Sequence, residues 1–211
     1  MLPAWIQDRI TQVTANYSST QLATAYEDLS RRYRFSGNKR GFRSPLEVIA
    51  YIGARLPATF ASIRHCLNEL PEGYAPTSTL DIGCGPGTAT LACMDRFDNL
   101  TSFLIEENDD MVRVGQHFIP AGHWKQHNIL TLQSLPKANL VLFSYVLNEI
   151  PKAQQSEMVA KLWAATMDYL LILTPGTPHS FAQLKHVRQF LIEQGAHIMA
   201  PCPHVSPPEI K

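Results

Sequence analysis

The chain has 211 residues, enough for one core domain and a smaller appendage. Its 18 Lys and Arg balance 18 Asp and Glu, so it is no polycation, and contact with nucleic acid has to come from a local patch. The four cysteines, Cys66, Cys84, Cys93 and Cys202, have no paired spacing, which argues against a disulfide framework and for a reducing compartment.

No run approaches the roughly 18 apolar residues that cross a bilayer, so no membrane role is expected. Residues 1–10 lack the charged-then-apolar layout of a signal peptide and the Arg- and Ser-rich character of a transit peptide. A cytoplasmic, bacterial protein is the expectation.

Residues 1–72 read as a helical N-terminal region. Pro3 suits a first turn, and Trp5, Ile6, Ile10 and Val13 recur at helix spacing. A second helix is predicted over about 19–33. Ser44-Pro45-Leu46-Glu47 is a helix start with a capping box. Pro57 is expected to break that helix, and Phe60, Ile63, Leu67 and Leu70 resume the pattern.

Residues 73–211 read as a core of alternating strands and helices. Strands are predicted at 79–82, 103–105, within 124–130, at 140–143 and at 169–173, with a sixth at 197–200. Helices are predicted near 88–95, 109–117, 151–167 and 178–194, with Gly195 as a left-handed cap. Buried strands alternating with helices predict a parallel α/β sheet covered on both faces. Pro201, Pro203, Pro207 and Pro208 mark the last ten residues as a tail without core elements.

Gly83, Gly85 and Gly87 lie between the first strand and a helix, where glycine permits a tight turn and a close backbone approach to a ligand. The helix start would present free N–H groups to a carboxylate or phosphate. Such a loop also serves as a plain strand-to-helix turn. Asp81 precedes it, placed to approach an ammonium group. Glu106 follows the second strand, 25 residues on, where a carboxylate can accept from ribose hydroxyls.

The run Leu80-Asp81-Ile82-Gly83-Cys84-Gly85-Pro86-Gly87-Thr88 resembles motif I of class I methyltransferases. The resemblance covers about residues 77–200 and implies a Rossmann-like sheet that binds S-adenosylmethionine. It assigns the methionine part of the cofactor to Asp81, Gly83, Cys84, Gly85 and Gly87, and the ribose to Glu106. NAD is the competing cofactor; an acid before the first glycine favours S-adenosylmethionine. Asn128 falls where the superfamily contacts adenine, and is equally a turn-forming residue. A seventh strand, usual in that fold, is missing from the sequence.

Methyl transfer asks a protein mainly to align nucleophile and sulfonium. Ser144-Tyr145-Val146-Leu147-Asn148-Glu149 occupies the place of the amine-methylation motif without matching it. Ser144 and Tyr145 remain candidates for ligand contact, while Asn148 and Glu149 also read as polar residues before a helix start. No catalytic residue is assigned.

Six of the 18 basic residues, Arg31, Arg32, Arg34, Lys39, Arg40 and Arg43, fall within 13 positions that hold no acid. Tyr33, Phe35 and Phe42 interleave with them. Cations neutralise phosphates and rings stack on unpaired bases, so the stretch reads as an RNA contact or, alternatively, as a solvated loop.

Segments 29–34, 54–60 (Ala-Arg-Leu-Pro-Ala-Thr-Phe), the glycine loop and 200–204 (Ala-Pro-Cys-Pro-His) together resemble the methyltransferase-like proteins of the mitochondrial small ribosomal subunit and their bacterial relatives. That resemblance implies work on ribosomal RNA or the small subunit. The alternatives are a non-catalytic assembly factor and a small-molecule methyltransferase, the latter requiring a closed, aromatic-lined pocket. In the family the Cys-Pro-His run opens an iron–sulfur cysteine group. Its next cysteine position is Pro208 here, and Cys202 alone holds no cluster, so none is expected.

Overall fold

The computed structural model describes residues 2–35 and 41–203, with the side chains of 34 and 35 left aside. Three helices lead the chain: α1 (Ala4–Thr14), α2 (Ser19–Phe35) and α3 (Pro45–Leu67). Then β1 (Ser78–Ile82), α4 (Thr88–Met94), β2 (Thr101–Glu106), α5 (Asp109–Phe118) and β3 (His123–Gln126) alternate. They are followed by β4 (Ala138–Ser144), α6 (Lys152–Ala165), β5 (Thr166–Leu173) and α7 (Pro178–Glu193).

All five strands are parallel, in the order β3-β2-β1-β4-β5. The alternation of side chains along a strand separates two cores. On β4, Leu140 and Leu142 join one cluster, with Leu91 of α4, Phe118 of α5 and Ile6 of α1. Val141 and Phe143 join the other, with Val159 and Leu162 of α6 and Val187 and Leu191 of α7. Helices thus cover both faces, as the sequence pattern predicts.

Helix α3 departs from expectation twice. It runs unbroken through Pro57. A proline inside a helix removes one hydrogen bond and crowds the carbonyl four residues earlier. Here Ile52, Leu56, Phe60, Ile63 and Leu67 are buried on both sides of Pro57, so packing carries the helix across the defect. With 23 residues, α3 is also long and apolar enough to cross a membrane, contrary to the reading of the sequence. Its apolar face lies in the core shared with α4 and the sheet.

The third departure is at 197–200. These residues are irregular, and no sixth strand forms among the described residues. Gly195, at φ +85°, ends the turn after α7, and Pro201 follows six residues later. A strand there would need ladder hydrogen bonds, and the segment makes none with β5. The β3 prediction also shrinks to four residues, because 129–131 winds into a short 3-10 turn.

A largely buried ion pair ties the end of α2 to the start of α3. The Arg32 guanidinium donates to Glu47 Oε2 at 2.5 Å, and the Arg43 N–H donates to the same oxygen at 2.9 Å. Ser44 Oγ accepts the Glu47 N–H at the helix start, as the capping signature predicts. Burial raises the Glu47 carboxyl, but the Arg32 hydrogen bond, the Arg43 N–H and the two arginine charges outweigh it and leave it below its ordinary value.

The pair therefore stabilises the fold at neutral pH, and its contribution is lost as pH falls through the lowered folded-state value. Glu47→Ala strands the Arg32 guanidinium and is expected to cost about 2–4 kcal/mol at pH 7. Glu47→Gln, which keeps an acceptor, should cost less. Urea denaturation at pH 7 and pH 3 checks both, the gap from the parent chain narrowing at the lower pH.

Candidate functional site

The strand order reverses at β1. Chain connections run outward through β2 and β3, then return to β4 and β5 on the other side. In open α/β sheets that reversal leaves a crevice at the carboxyl ends of the central strands. A cavity of about 140 Å³ lies there. Asp81 is next to last in β1, Glu106 ends β2 and Ser144 ends β4, and all three line it with Gly83, Cys84 and Gly85.

The loop after β1 is held by its own backbone. The N–H groups of Gly83 and Cys84 both donate to the Ile105 carbonyl, at 2.8 and 3.1 Å. Gly83 has φ +64°, and a Cβ there would stand 2.7 Å from Val146 Cγ2. Gly87, at φ +84°, caps α4, and a Cβ would meet Ile119 Cδ1 at 2.6 Å. These two glycines are needed for close packing. Gly85 is left-handed as well, at φ +55°, yet open space lies where its Cβ would be.

Asp81 is 1% exposed. The backbone N–H and the hydroxyl of Thr90 donate to its Oδ2, at 3.1 and 2.9 Å. One N–H that the sequence assigned to a ligand at the α4 N-terminus is thus used by Asp81 itself. Burial raises the Asp81 carboxyl to about 7, Thr90 works against the shift, and Glu106 adds to it.

Glu106 Oε2 accepts from the Gly85 N–H at 2.9 Å, and Oε1 accepts from Glu107 and Asn108 at 3.0 and 2.9 Å. Burial raises this carboxyl too, against those three backbone donors. Burial, helped by Asp81 and Glu106, pushes the Cys84 thiol far up, so it is no thiolate nucleophile at neutral pH. The Ser144 hydroxyl is shut off from solvent and has no hydrogen-bond partner among the described residues.

Two predicted cofactor residues stand off the wall. Gly87 serves the α4 cap. Asn128 donates from Nδ2 to Glu107 at 2.8 Å and accepts the Leu130 N–H on Oδ1, as a turn former does. The basic stretch divides. Arg32 is bound to Glu47. Arg31 is exposed and pairs only loosely with Asp28, at 3.5 Å, and Arg43 is exposed. Lys39 and Arg40, and the Arg34 side chain, lie outside the described residues.

Sequence reasoning did not bring together the opposite wall. Tyr33 of α2, Phe42, and Tyr51, Thr59 and Ile63 of α3 face the same cavity as the glycine loop, with Tyr145 and Glu149 beside Ser144. Tyr33 and Phe42 could be read only as aromatics within a basic run, and Tyr51 carries no local signal. A larger cavity, about 870 Å³, is elsewhere, along the outer edge of β5 beside Tyr74, Tyr169 and 195–200. No residue of the glycine loop lines it.

Strand order, glycine loop and flanking acids define a Rossmann-like α/β protein of the class I methyltransferase type. A solved methyltransferase, plantazolicin methyltransferase BpumL with S-adenosylhomocysteine (SAH) bound, shares this fold: TM-score 0.55, 11% identity, 90% of this chain and 80% of that one covered. The chain belongs to the family described as mitochondrial small ribosomal subunit Rsm22, whose model matches residues 45–209.

Among curated relatives it is 24% identical over 185 residues to the mitochondrial ribosome assembly protein METTL17 of Homo sapiens, covering 75% of this chain and 40% of that protein. It is 27% identical over 186 residues to the mitochondrial Rsm22-cox11 tandem protein 2 of Schizosaccharomyces pombe, covering 75% of this chain and 25% of that protein. The chain thus spans less than half the length of these relatives. Their location corrects the cytoplasmic expectation, since family and relatives point to the mitochondrion. Composition near residue 1 carried no weight for a chain that aligns with only part of its relatives.

The raised Asp81 carboxyl predicts a pH slope. The folded state keeps this proton longer than the unfolded chain does, so stability falls as pH rises from about 4 to about 7 and levels off above. Asp81→Asn should flatten that slope and leave a smaller one from Glu106; urea unfolding across this range measures it, and an unchanged slope refutes it. The glycines make a second pair. Gly85→Ala should cost about 1–2 kcal/mol for its left-handed backbone, and Gly83→Ala distinctly more, because Val146 must also move. Thermal unfolding of the two variants ranks them.

Proposed function

We propose that this chain is an S-adenosylmethionine-binding, methyltransferase-like module that serves the small ribosomal subunit. The observation that carries the reading is the meeting of Asp81, the open backbone at Gly85 and Glu106 at the strand-order reversal, in a chain of the Rsm22 family. The residues fit the cofactor. Open space at Gly85 lets a ligand approach the backbone, and the orphaned Ser144 hydroxyl awaits a polar partner.

In this reading Asp81 faces the cofactor's ammonium group and Glu106 accepts from its ribose hydroxyls. When bound, S-adenosylmethionine supplies an electrophilic methyl group. The protein's share is to exclude water and to align the acceptor. The cavity, at about 140 Å³, is below the roughly 300–1,000 Å³ usual for an engulfed ligand. Entry of the cofactor therefore shifts the wall made by α2, Phe42 and α3.

Exposed Arg31 and Arg43, with Lys39 and Arg40, form the proposed RNA contact. Support for a ribosomal role comes from the family description and from METTL17, a ribosome assembly protein. A non-catalytic assembly role is the second reading, favoured by the small cavity and by a Ser144–Glu149 run that matches no amine-methylating motif. A small-molecule methyltransferase is the third, favoured by the aromatic wall.

Calorimetric titration with S-adenosylmethionine, with NAD as control, tests the core of the proposal. Selective binding is expected, weakened at least tenfold by Asp81→Ala, with altered amide exchange in α2 and α3. Unchanged affinity in the variant, or preference for NAD, overturns it. Transfer of a labelled methyl group to small-subunit RNA then separates enzyme from assembly factor. Neutralising Arg31 and Arg43 should lower the salt slope of RNA binding by up to two charges; an unaltered slope assigns the stretch to a solvated loop.

A further inference from the structure

We propose that the aromatic wall opposite the glycine loop is a slot for one unpaired base of a single-stranded RNA, with Arg43 and Arg55 at its mouth for the flanking phosphates. The inference rests on the reading that this chain serves RNA and names the part of the site that would take the substrate.

The rings converge from three separate elements. Tyr33 is on α2, Tyr51 is on α3, and Tyr145 follows β4; all line the cavity that holds Gly83–Pro86. Phe42 packs edge-on against Tyr51, with centroids 5.5 Å apart, which fixes that ring. A base has two π-faces, and a slot between rings recognises it whatever its edge carries.

Tyr145 is held in an unusual way. Its φ is +64°, a region that costs a non-glycine residue about 1–2 kcal/mol. Its N–H donates to the Leu173 carbonyl at 2.7 Å, locking the turn to the end of β5. Glycine would fit this backbone without strain, yet a tyrosine occupies it. Strain of this kind concentrates where a side chain is held for a ligand.

The mouth separates RNA from a small closed-in substrate. Tyr33 is 41% exposed, a large aromatic surface left open to solvent. Arg43 follows Phe42 directly, and Arg55 lies one helical turn beyond Tyr51 on the same face of α3; both are exposed. A small aromatic substrate would need enclosure and no cations at the rim. A nucleotide strand needs a ring slot for a base and cations for the phosphates on either side.

The test is fluorescence anisotropy with a single-stranded RNA of about 12 nucleotides and the same sequence as a duplex. The variants are Tyr33→Ala, at an exposed position, and Tyr145→Gly, which relieves the backbone. Each is expected to weaken single-strand binding roughly 5- to 100-fold while duplex binding stays as in the parent. A 4-thiouridine probe in the single strand should cross-link to peptides containing Tyr33, Tyr51 or Tyr145. Parent-like single-strand binding by both variants, or cross-links confined to other faces, overturns the slot and leaves the RNA reading standing. A parent chain that binds cofactor but neither RNA overturns both.

Discussion

The site depends on one topological constraint, the reversal of strand order at β1. Parallel strands need crossover helices, and crossovers keep one hand. A chain that goes outward through β2 and β3 and returns through β4 must therefore place its helices on opposite faces. The carboxyl ends of β1, β2 and β4 are left uncovered between them. Asp81, Glu106 and Ser144 are the residues at those three ends, so the reversal brings together groups up to 63 positions apart in the chain.

Within the crevice, polar groups are satisfied by one another. Asp81 takes both donors of Thr90, Glu106 takes three backbone N–H groups, and Ile105 takes two. The loop is thus pre-shaped. A ligand that binds there meets loop groups already aligned, rather than ordering a floppy turn. The raised carboxyls of Asp81 and Glu106 follow from the same enclosure, since burial disfavours their charged forms until a cation or a donor arrives.

The N-terminal helices belong to the site as much as to the core. Helix α3 contributes to the cluster beneath the sheet and also supplies Tyr51, Thr59 and Ile63 to the cavity. The Arg32–Glu47 pair ties α2 to the start of α3, and the Arg43 N–H on the same carboxylate holds the backbone next to Phe42. One ion pair thereby connects the packing of the N-terminal helices to the wall of the cleft. That is why one arginine of a basic run is used inside the fold while its neighbours Arg31 and Arg43 face water.

The sequence by itself determined the alternating core, because apolar runs of strand length between amphipathic stretches admit few arrangements other than a covered parallel sheet. It also determined the glycine loop, whose spacing expresses a local backbone requirement. Packing decided the rest. Pro57 reads as a helix end until the buried residues on both sides of it are counted. The stretch 197–200 reads as a strand until pairing is asked of it. Asn128 reads equally as a ligand contact or a turn former, and its hydrogen bonds describe the turn. Arg32 is indistinguishable from Arg31 in the sequence, and only the approach of Glu47 from the next helix separates them. The aromatic wall was legible only in pieces: Tyr145 read as a ligand-contact candidate and Tyr33 as a stacking ring of the basic run, Tyr51 carried no signal, and only the packing of α2 and α3 near the end of β4 brings the three to one cavity.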